Sequence, residues 1–287
     1  MTPARASTIP GMSLGRGLRH PSLCIGAVLT LALVVMALLS LVWTPWPPDG
    51  IDIPHRLLSP GAHHWLGTDQ FGRDVLSMVM AGAQTSLMVG VLAVAIGIGL
   101  GVLLGASAAA LGGICEEALM RLTDFTFAFP AILTAIMLAA IIGPGTLTVV
   151  FAIGIFNVPV FARLTRGAAK AVWARDYILA ARAAGKGRFA ITIEHVLPNI
   201  MAPILVQGTI QFATAILAEA ALSYLGLGTM PPQPSWGRML FEAQTFLFTA
   251  PRLAVFPGVA IALAVLGLNL LGDGLRDLAD PRLRRRR

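Results

Sequence analysis

Six apolar segments, each about 20 residues long, limit what this chain can fold into more than any other feature of its sequence. They cover approximately residues 23–43, 85–110, 125–143, 146–164, 201–225 and 252–272. A helix of about 20 apolar residues crosses the hydrocarbon core of a bilayer. Because lipid cannot satisfy backbone N–H and C=O groups, an isolated spanning segment must be helical. The sequence therefore predicts an all-α integral membrane protein with six transmembrane helices.

The distribution of positive charge predicts how these helices are oriented. The chain has 21 Lys and Arg residues, and all but four of them lie in the two tails and in the loops that follow the second and fourth segments. Loops rich in Lys and Arg stay on the cytoplasmic side. We therefore expect a multi-pass protein of the cytoplasmic membrane, in contact with lipid, with both termini in the cytoplasm. Topology explains the net charge of +7, and no binding to nucleic acid is expected.

The same segments divide the chain into an anchor and a larger core. In the stretch after the first helix we expect an interfacial helix, capped and braced by Arg73 with Asp69 and Asp74. The predicted regions are a cytoplasmic tail over 1–22, a first transmembrane helix over 23–43, an external loop over 44–84, a core of five helices over 85–272 that includes a cytoplasmic loop over 165–200, and a basic cytoplasmic tail over 273–287.

Glycine recurs at every fourth position of the second segment, at Gly97, Gly101 and Gly105. Small residues with this spacing allow the backbone of another membrane helix to approach closely. A dinucleotide-binding turn would need a preceding strand, which an apolar span does not provide. We therefore predict that these glycines serve helix packing.

The basic loop between the fourth and fifth segments has the pattern of a short helix followed by a second one. Asp176 is a suitable N-cap, and Gly185 is placed to end the first helix. Gly187 can cap a second helix, and Pro198 can open the fifth span. One face of the first helix combines small side chains with a single aromatic ring, from Tyr177, Ala180, Ala181 and Ala184.

Physical chemistry alone leaves two hypotheses for this loop. Its alanine-rich face allows close approach to a groove on a partner protein, and its Arg and Lys side chains can meet acidic groups there. Alternatively, the loop helix lies on the membrane surface, with its basic residues near lipid phosphates.

The spacing of this loop resembles a known family. Ala180-Ala181, three residues, Gly185, eleven residues and Leu197-Pro198 resemble the EAA loop of permease subunits of ABC importers. Leu179 stands where that loop usually has Glu, and His195 where it has Ile. Three further stretches match the branch that imports dipeptides, oligopeptides or nickel: HWLGTDQFGRDVLS over 64–77, LAEAALSYLGLG with PPQPSWG over 217–237, and GDGLRD with DPR over 272–282. The chain is identified as a C-type permease of this branch.

The resemblance implies a type I ABC importer permease fold and a set of partners. They are a homologous second permease, two cytoplasmic ATPase subunits and an external substrate-binding protein. This chain would form half of the translocation path for short peptides, with nickel complexes, glutathione or another small solute as alternatives. The ATPase-coupling loop implied by the resemblance contains Asp176, Tyr177, Ala180, Ala181, Arg182, Gly185, Lys186, Leu197 and Pro198.

Catalytic chemistry is not expected of the chain itself. The sequence contains no Gly-x4-Gly-Lys-Ser/Thr run, whose backbone amides would hold phosphates, so ATP and Mg²⁺ are expected on the partner ATPases and no cofactor on this chain. No catalytic residue and no metal site is predicted, and His55, His63 and His64 are interpreted as ordinary loop residues. An ion-coupled secondary transporter is the alternative from a different class, but such proteins usually carry several ionisable residues within the membrane.

Glu219 is the acidic residue placed well inside a predicted span. A carboxylate within a bilayer is costly and usually faces a cavity or a hydrogen-bonding partner. One hypothesis places Glu219, with Ser223, on the translocation path. The other places it in hydrogen bonds to a neighbouring helix.

Overall fold

A computed structural model describes residues 21–279 of the chain. The predicted N-terminal tail, apart from its last two residues, and the C-terminal residues beyond Ala279 lie outside the described part. The helices are α1 (Pro21–Val42), α2 (Val75–Leu111), α3 (Gly113–Ala128), α4 (Ala131–Ile142), α5 (Thr146–Trp173), α6 (Asp176–Ala183), α7 (Arg188–Ile191), α8 (Leu197–Tyr224), α9 (Trp236–Ala243) and α10 (Arg252–Ala279).

The helices confirm an all-α membrane fold. Five stretches are long and apolar enough to cross a bilayer by themselves: α1, α2, α5, α10 and the continuous stretch of α7 and α8. α3 and α4 reach this standard only when taken together as one bent span, which gives six. α5, α8 and α10 all extend beyond the predicted spans, since helical structure persists where the chain becomes polar.

The third predicted span, residues 125–143, is not one continuous helix, and this prediction was wrong. α3 and α4 meet at an angle of 83° across Phe129 and Pro130. Proline has no N–H to donate, and its ring disfavours helical geometry in the residue before it. Phe129 accordingly has an extended backbone, at φ −91° and ψ 123°.

The second span begins ten residues earlier than predicted. Asp74 is the N-cap of α2, and its Oδ2 accepts hydrogen bonds from the Ser77 amide and hydroxyl, both at 2.8 Å. This cap starts the transmembrane helix itself. In residues 44–74 the helical structure is limited to the short turn Ile53–His55. Within the predicted external loop the long helical stretch is therefore the first ten residues of α2, so the expected interfacial helix is continuous with the second span, which begins at Val75.

The most extensive contact between helices joins α2 to α5. At Gly101 an added Cβ would lie 2.7 Å from the carbonyl oxygen of Val158 and 3.0 Å from the amide nitrogen of Ala162. Backbone atoms this close leave no room for a side chain. Gly97 and Gly105 face α5 at similarly short distances, so the structure confirms that these glycines serve packing. Gly99, on another face of α2, would have nothing within 4 Å of its Cβ.

Gly101→Ala should destabilise the chain by about 1–3 kcal/mol, because the methyl group must displace the α5 backbone. The matched control is Gly99→Ala, which adds the same methyl group to the same helix in open space. SDS titration of the purified chain in mild detergent, followed by tryptophan fluorescence, measures both. Equal stability of the two variants would contradict the packing described here.

Candidate functional site

The basic loop places α6 two residues after the end of α5. The Arg175 amide donates to the carbonyl of Val172, and the carbonyl of Arg175 accepts from the Ile178 amide, each at 3.0 Å. This makes Arg175 the N-cap, so the prediction of Asp176 as the N-cap was wrong by one position. As the first residue of α6, Asp176 still places a carboxylate at the positive end of the helix dipole.

Gly185 follows α6 in the conformation predicted for the end of this helix. It has φ 81°, a left-handed conformation that favours a residue without Cβ. Its amide donates to the Arg182 carbonyl at 2.9 Å, and the Lys186 amide donates to the Ala181 carbonyl at 3.1 Å. These two bonds form a Schellman motif, which satisfies carbonyls at the end of the helix.

α6 is fixed to the membrane helices by a residue that the sequence analysis missed. Ile178 is fully buried in an apolar cluster with Trp173 of α5 and with Ile191 and Val196, which precede α8. The Arg182 guanidinium lies 4.9 Å from the centroid of the Trp173 ring, a cation–π contact. The signal for this burial in the sequence was a branched apolar residue within a polar loop. α6 is therefore held against the ends of two spans.

The predicted alanine-rich face of α6 is exposed in part. Tyr177, Ala180 and Ala184 are exposed, whereas Ala181 is half-buried against the same cluster as Ile178. The loop also exposes large apolar side chains at Tyr177 (46%), Leu179 (57%), Phe189 (82%) and Ile193 (47%). Exposed apolar side chains in a polar region are characteristic of contact sites.

Several basic residues of the loop have partners within the chain. Lys186 forms an ion pair with Glu194. The Arg188 guanidinium donates to the carbonyl of Leu111, at the end of α2, at 3.2 Å. Arg175 is exposed. These contacts within the chain, made by Arg182, Lys186 and Arg188, therefore stabilise the loop itself.

The second half of the loop is continuous with the fifth span. Gly187 caps α7 as predicted, but α7 passes through the π-helical segment Thr192–Val196 directly into α8. Pro198 lies in the first turn of α8, as predicted, but α8 continues from the π-helical segment without a break. Leu197 is half-buried against the Ile178 cluster, and Pro198 is exposed in the first turn of α8. The wider π turn precedes Pro198, where a proline ring would clash with the carbonyl four residues earlier.

Glu219 lies inside the helical domain and is 1% exposed. Its carboxylate accepts hydrogen bonds from Ser86 of α2 at 3.1 Å and from Ser223 of α8 at 2.7 Å. Ser223 Oγ also accepts from the Thr229 amide at 3.2 Å. This is the arrangement of the second hypothesis, hydrogen bonding to a neighbouring helix. A role of Glu219 and Ser223 in the path stays a prediction.

A polar cluster around Arg73, at the end of the domain away from the basic loop, braces the segment before α2. Arg73 contacts Asp69 at 2.6 Å and Glu242 of α9 at 2.5 Å, and Arg238 contacts the other oxygen of Glu242 at 2.8 Å. We expected Arg73 and Asp69 to brace this segment. Their partner Glu242 is 169 residues from Arg73 and was not predicted. His64 Nδ1 lies 2.9 Å from Asp74 Oδ1.

The chain is similar to transport proteins over most of its length. The dipeptide transport system permease protein DppC of Alkalihalophilus pseudofirmus is 41% identical over 260 residues, which cover 91% of this chain and 86% of the relative. The glutathione transport system permease protein GsiD of Escherichia coli is 40% identical over 259 residues, which cover 90% of this chain and 86% of the relative.

The fold is similar to that of a solved transporter. A chain of the MetNI methionine ABC transporter, in an inward-facing conformation, matches with a TM-score of 0.59 at 16% identity, over 71% of this chain and 97% of that chain. The family profile for binding-protein-dependent transport system inner membrane components matches residues 97–285, more than half of the sequence. Members are multi-pass transport subunits of ABC importers, which act with a second permease, ATPases and a binding protein. This chain belongs to that family of binding-protein-dependent inner membrane components.

Proposed function

We propose that this chain forms half of the translocation path of an ATP-driven importer of short peptides. It pairs with a homologous permease, and two cytoplasmic ATPase subunits and an external binding protein complete the transporter. The observation that carries the proposal is the 41% identity to a dipeptide permease over 91% of this chain. The second cargo candidate is glutathione, which is favoured by the 40% identity to a glutathione permease.

In this proposal α6 is the coupling helix. It combines a buried anchor, Ile178, with exposed apolar side chains such as Tyr177 and Leu179, so it can bind a partner while staying fixed to α5 and α8. ATP and Mg²⁺ bind to the ATPase subunits and drive their closure, and this chain binds no cofactor. Closure displaces α6 as a rigid body and the spans rock between inward-facing and outward-facing states. Both termini and the coupling loop are in the cytoplasm.

Gly185→Asp should uncouple ATP hydrolysis from uptake. A left-handed backbone costs a residue with Cβ about 1–2 kcal/mol, which strains the end of the coupling helix. We expect transported substrate per ATP to fall about tenfold in proteoliposomes, while insertion of the chain is unchanged. Radiolabelled uptake and phosphate release are measured on the same vesicles.

The matched control for this variant is Gly187→Asp. It adds the same charge two residues away, at an exposed N-cap with φ −71°, where Asp is favourable. Gly187→Asp should transport normally. Normal coupling in Gly185→Asp, or equal defects in both variants, would contradict the assignment of α6 as the coupling helix.

The partners and the cargo can be tested on the transporter isolated from its host. A tagged chain extracted in mild detergent should recover a second permease and P-loop ATPases, identified by mass spectrometry. With the co-encoded binding protein, the reconstituted assembly should import a radiolabelled dipeptide, and excess glutathione should compete at least tenfold less well than unlabelled dipeptide. Import of glutathione alone would replace the peptide assignment, and recovery of the chain without ATPases would contradict the importer.

A further inference from the structure

α3 is held in place mainly by charged side chains. Within the described helix Gly113–Ala128 the one buried residue is Thr123, while Ile114, Leu122 and Phe125 are exposed. The helix lies between two breaks in the backbone, at Gly112 and Gly113, which both have positive φ, and at Phe129 and Pro130. A helix with so little apolar burial and a break at each end is free to move unless other contacts fix it.

Ion pairs between α3 and α5 supply those contacts. Glu116 Oε1 lies 2.6 Å from Arg166 Nε and 2.5 Å from Lys170 Nζ. Two turns further along α3, Asp124 Oδ1 lies 2.7 Å from Arg163 Nη2. We call these five residues the ionic clasp. It fixes α3 near both of its ends.

One arginine of the clasp also connects to the aromatic residues beside the break. The Arg163 guanidinium lies 4.6 Å from the centroid of the Phe127 ring, and Phe127 stacks on Phe156 of α5 at 5.3 Å. Phe127 is two residues before Phe129, where the span bends. The position of Arg163 is therefore linked to the start of α4.

The basic half of the clasp lies directly before the coupling helix. Lys170 is in the last turn of α5, and Ala174 and Arg175 alone separate Trp173 from Asp176. The amides of Ala174 and Arg175 are hydrogen-bonded to carbonyls of α5. The burial of Ile178 and the Arg182–Trp173 contact hold α6 against the same end of α5. A displacement of α6 therefore moves Arg163, Arg166 and Lys170 with it.

We propose that the ionic clasp transmits movement of the coupling helix to the broken span α3–α4, so that Glu116 and Asp124 are positioning residues for ATP-driven transport. This role rests on the proposed function. Because the clasp holds α3 against α5 by ion pairs, its strength depends on ionic strength. Its side chains are partly exposed and border a cleft of about 370 Å³ that is lined by Glu116, Asp124 and Arg166 among others. The screening length falls from about 10 Å at 0.1 M salt to about 3 Å at 1 M.

Charge reversal and its rescue test the proposal. Asp124→Arg and Arg163→Asp each break one pair, and the double variant restores it with the charges exchanged. The loss of the Phe127 contact is common to Arg163→Asp and the double variant, so it cancels in the comparison. In proteoliposomes holding the complete transporter, each single variant should lower substrate transported per ATP about fivefold or more. The double variant should recover most of the loss measured in Arg163→Asp, the single variant that also lacks the Phe127 contact.

Glu117→Arg is the matched control. It makes the same acid-to-arginine change on the same helix, but Glu117 pairs only with Arg121 of α3, at side-chain exposures of 63% and 77%, within the part of the chain that the structure describes. We expect normal coupling from it. Equal defects in Glu117→Arg and Asp124→Arg, or no recovery in the double variant, would overturn the clasp as a transmitting element.

A second readout uses the chain without its ATPases. Spin labels on Cys115 of α3 and on Ala171→Cys of α5, in a Cys24→Ser background, report the separation of the two helices by pulsed electron paramagnetic resonance. We expect one narrow distance distribution at 0.1 M NaCl and a broad one at about 1 M NaCl, where screening is strong. Asp124→Arg should broaden the distribution at low salt, and the double variant should narrow it again.

The two readouts separate the possible failures. If the wild-type assembly imports nothing with ATP, the proposed function is wrong and the transmitting role falls with it. If the wild type imports normally but neither salt nor charge reversal changes the distance distribution, only the transmitting role of the clasp is wrong.

Discussion

The close contact between α2 and α5 is the packing interaction on which the rest of the domain depends. Lipid is as apolar as the helices, so burial of apolar surface does not drive spans together and close van der Waals contact must do so. At Gly101 and Gly105 backbone atoms of α5 lie within 3 Å of the position that a Cβ would occupy, and at Gly97 a side-chain atom of Asn157 does. This contact fixes the axis of α5, and α5 in turn places Trp173, Ile178 and the coupling helix. A change in this contact would therefore reach the loop to which the proposed function assigns partner binding.

The two ends of the domain use buried charge in different ways. Around Arg73 the Asp69 carboxylate is buried and the Glu242 carboxylate is mostly enclosed, and Arg73 and Arg238 pair with them. Breaking one partner of such a set leaves an uncompensated charge, which costs about 3–5 kcal/mol, so this end is rigid. The clasp at the other end is partly exposed, and pairs of that kind contribute about 1 kcal/mol or less. In the proposal, motion therefore begins at the end of the domain that is held by the weaker pairs.

How far the sequence predicts this structure depends on how local each cause is. The five unbroken apolar spans, the glycine ladder and the end of the helix at Gly185 follow from a residue and its near neighbours, and these were predicted. The break at Pro130 had a local signal that the apolar pattern outweighed, and the cap expected around Asp74 was assigned to an interfacial helix instead of to the second span. By contrast, the burial of Ile178 and the pairing of Arg73 with Glu242 depend on contacts between distant segments. One sequence without its fold does not reveal such contacts.

In the proposed function, α6 can act on the whole domain because it contacts the ends of two spans. Ile178 packs against Trp173 of α5 and against Val196 and Ile200, which lie in the π segment and the start of α8. A force on α6 is therefore divided between two spans at the same moment. α5 carries it to α3 through the clasp, and α8 carries it toward Glu219 and Ser223, where the helix is hydrogen-bonded to Ser86 of α2. Because α2 also packs along α5, the two routes are joined by the contact between these helices, which is how the proposal lets the spans tilt together.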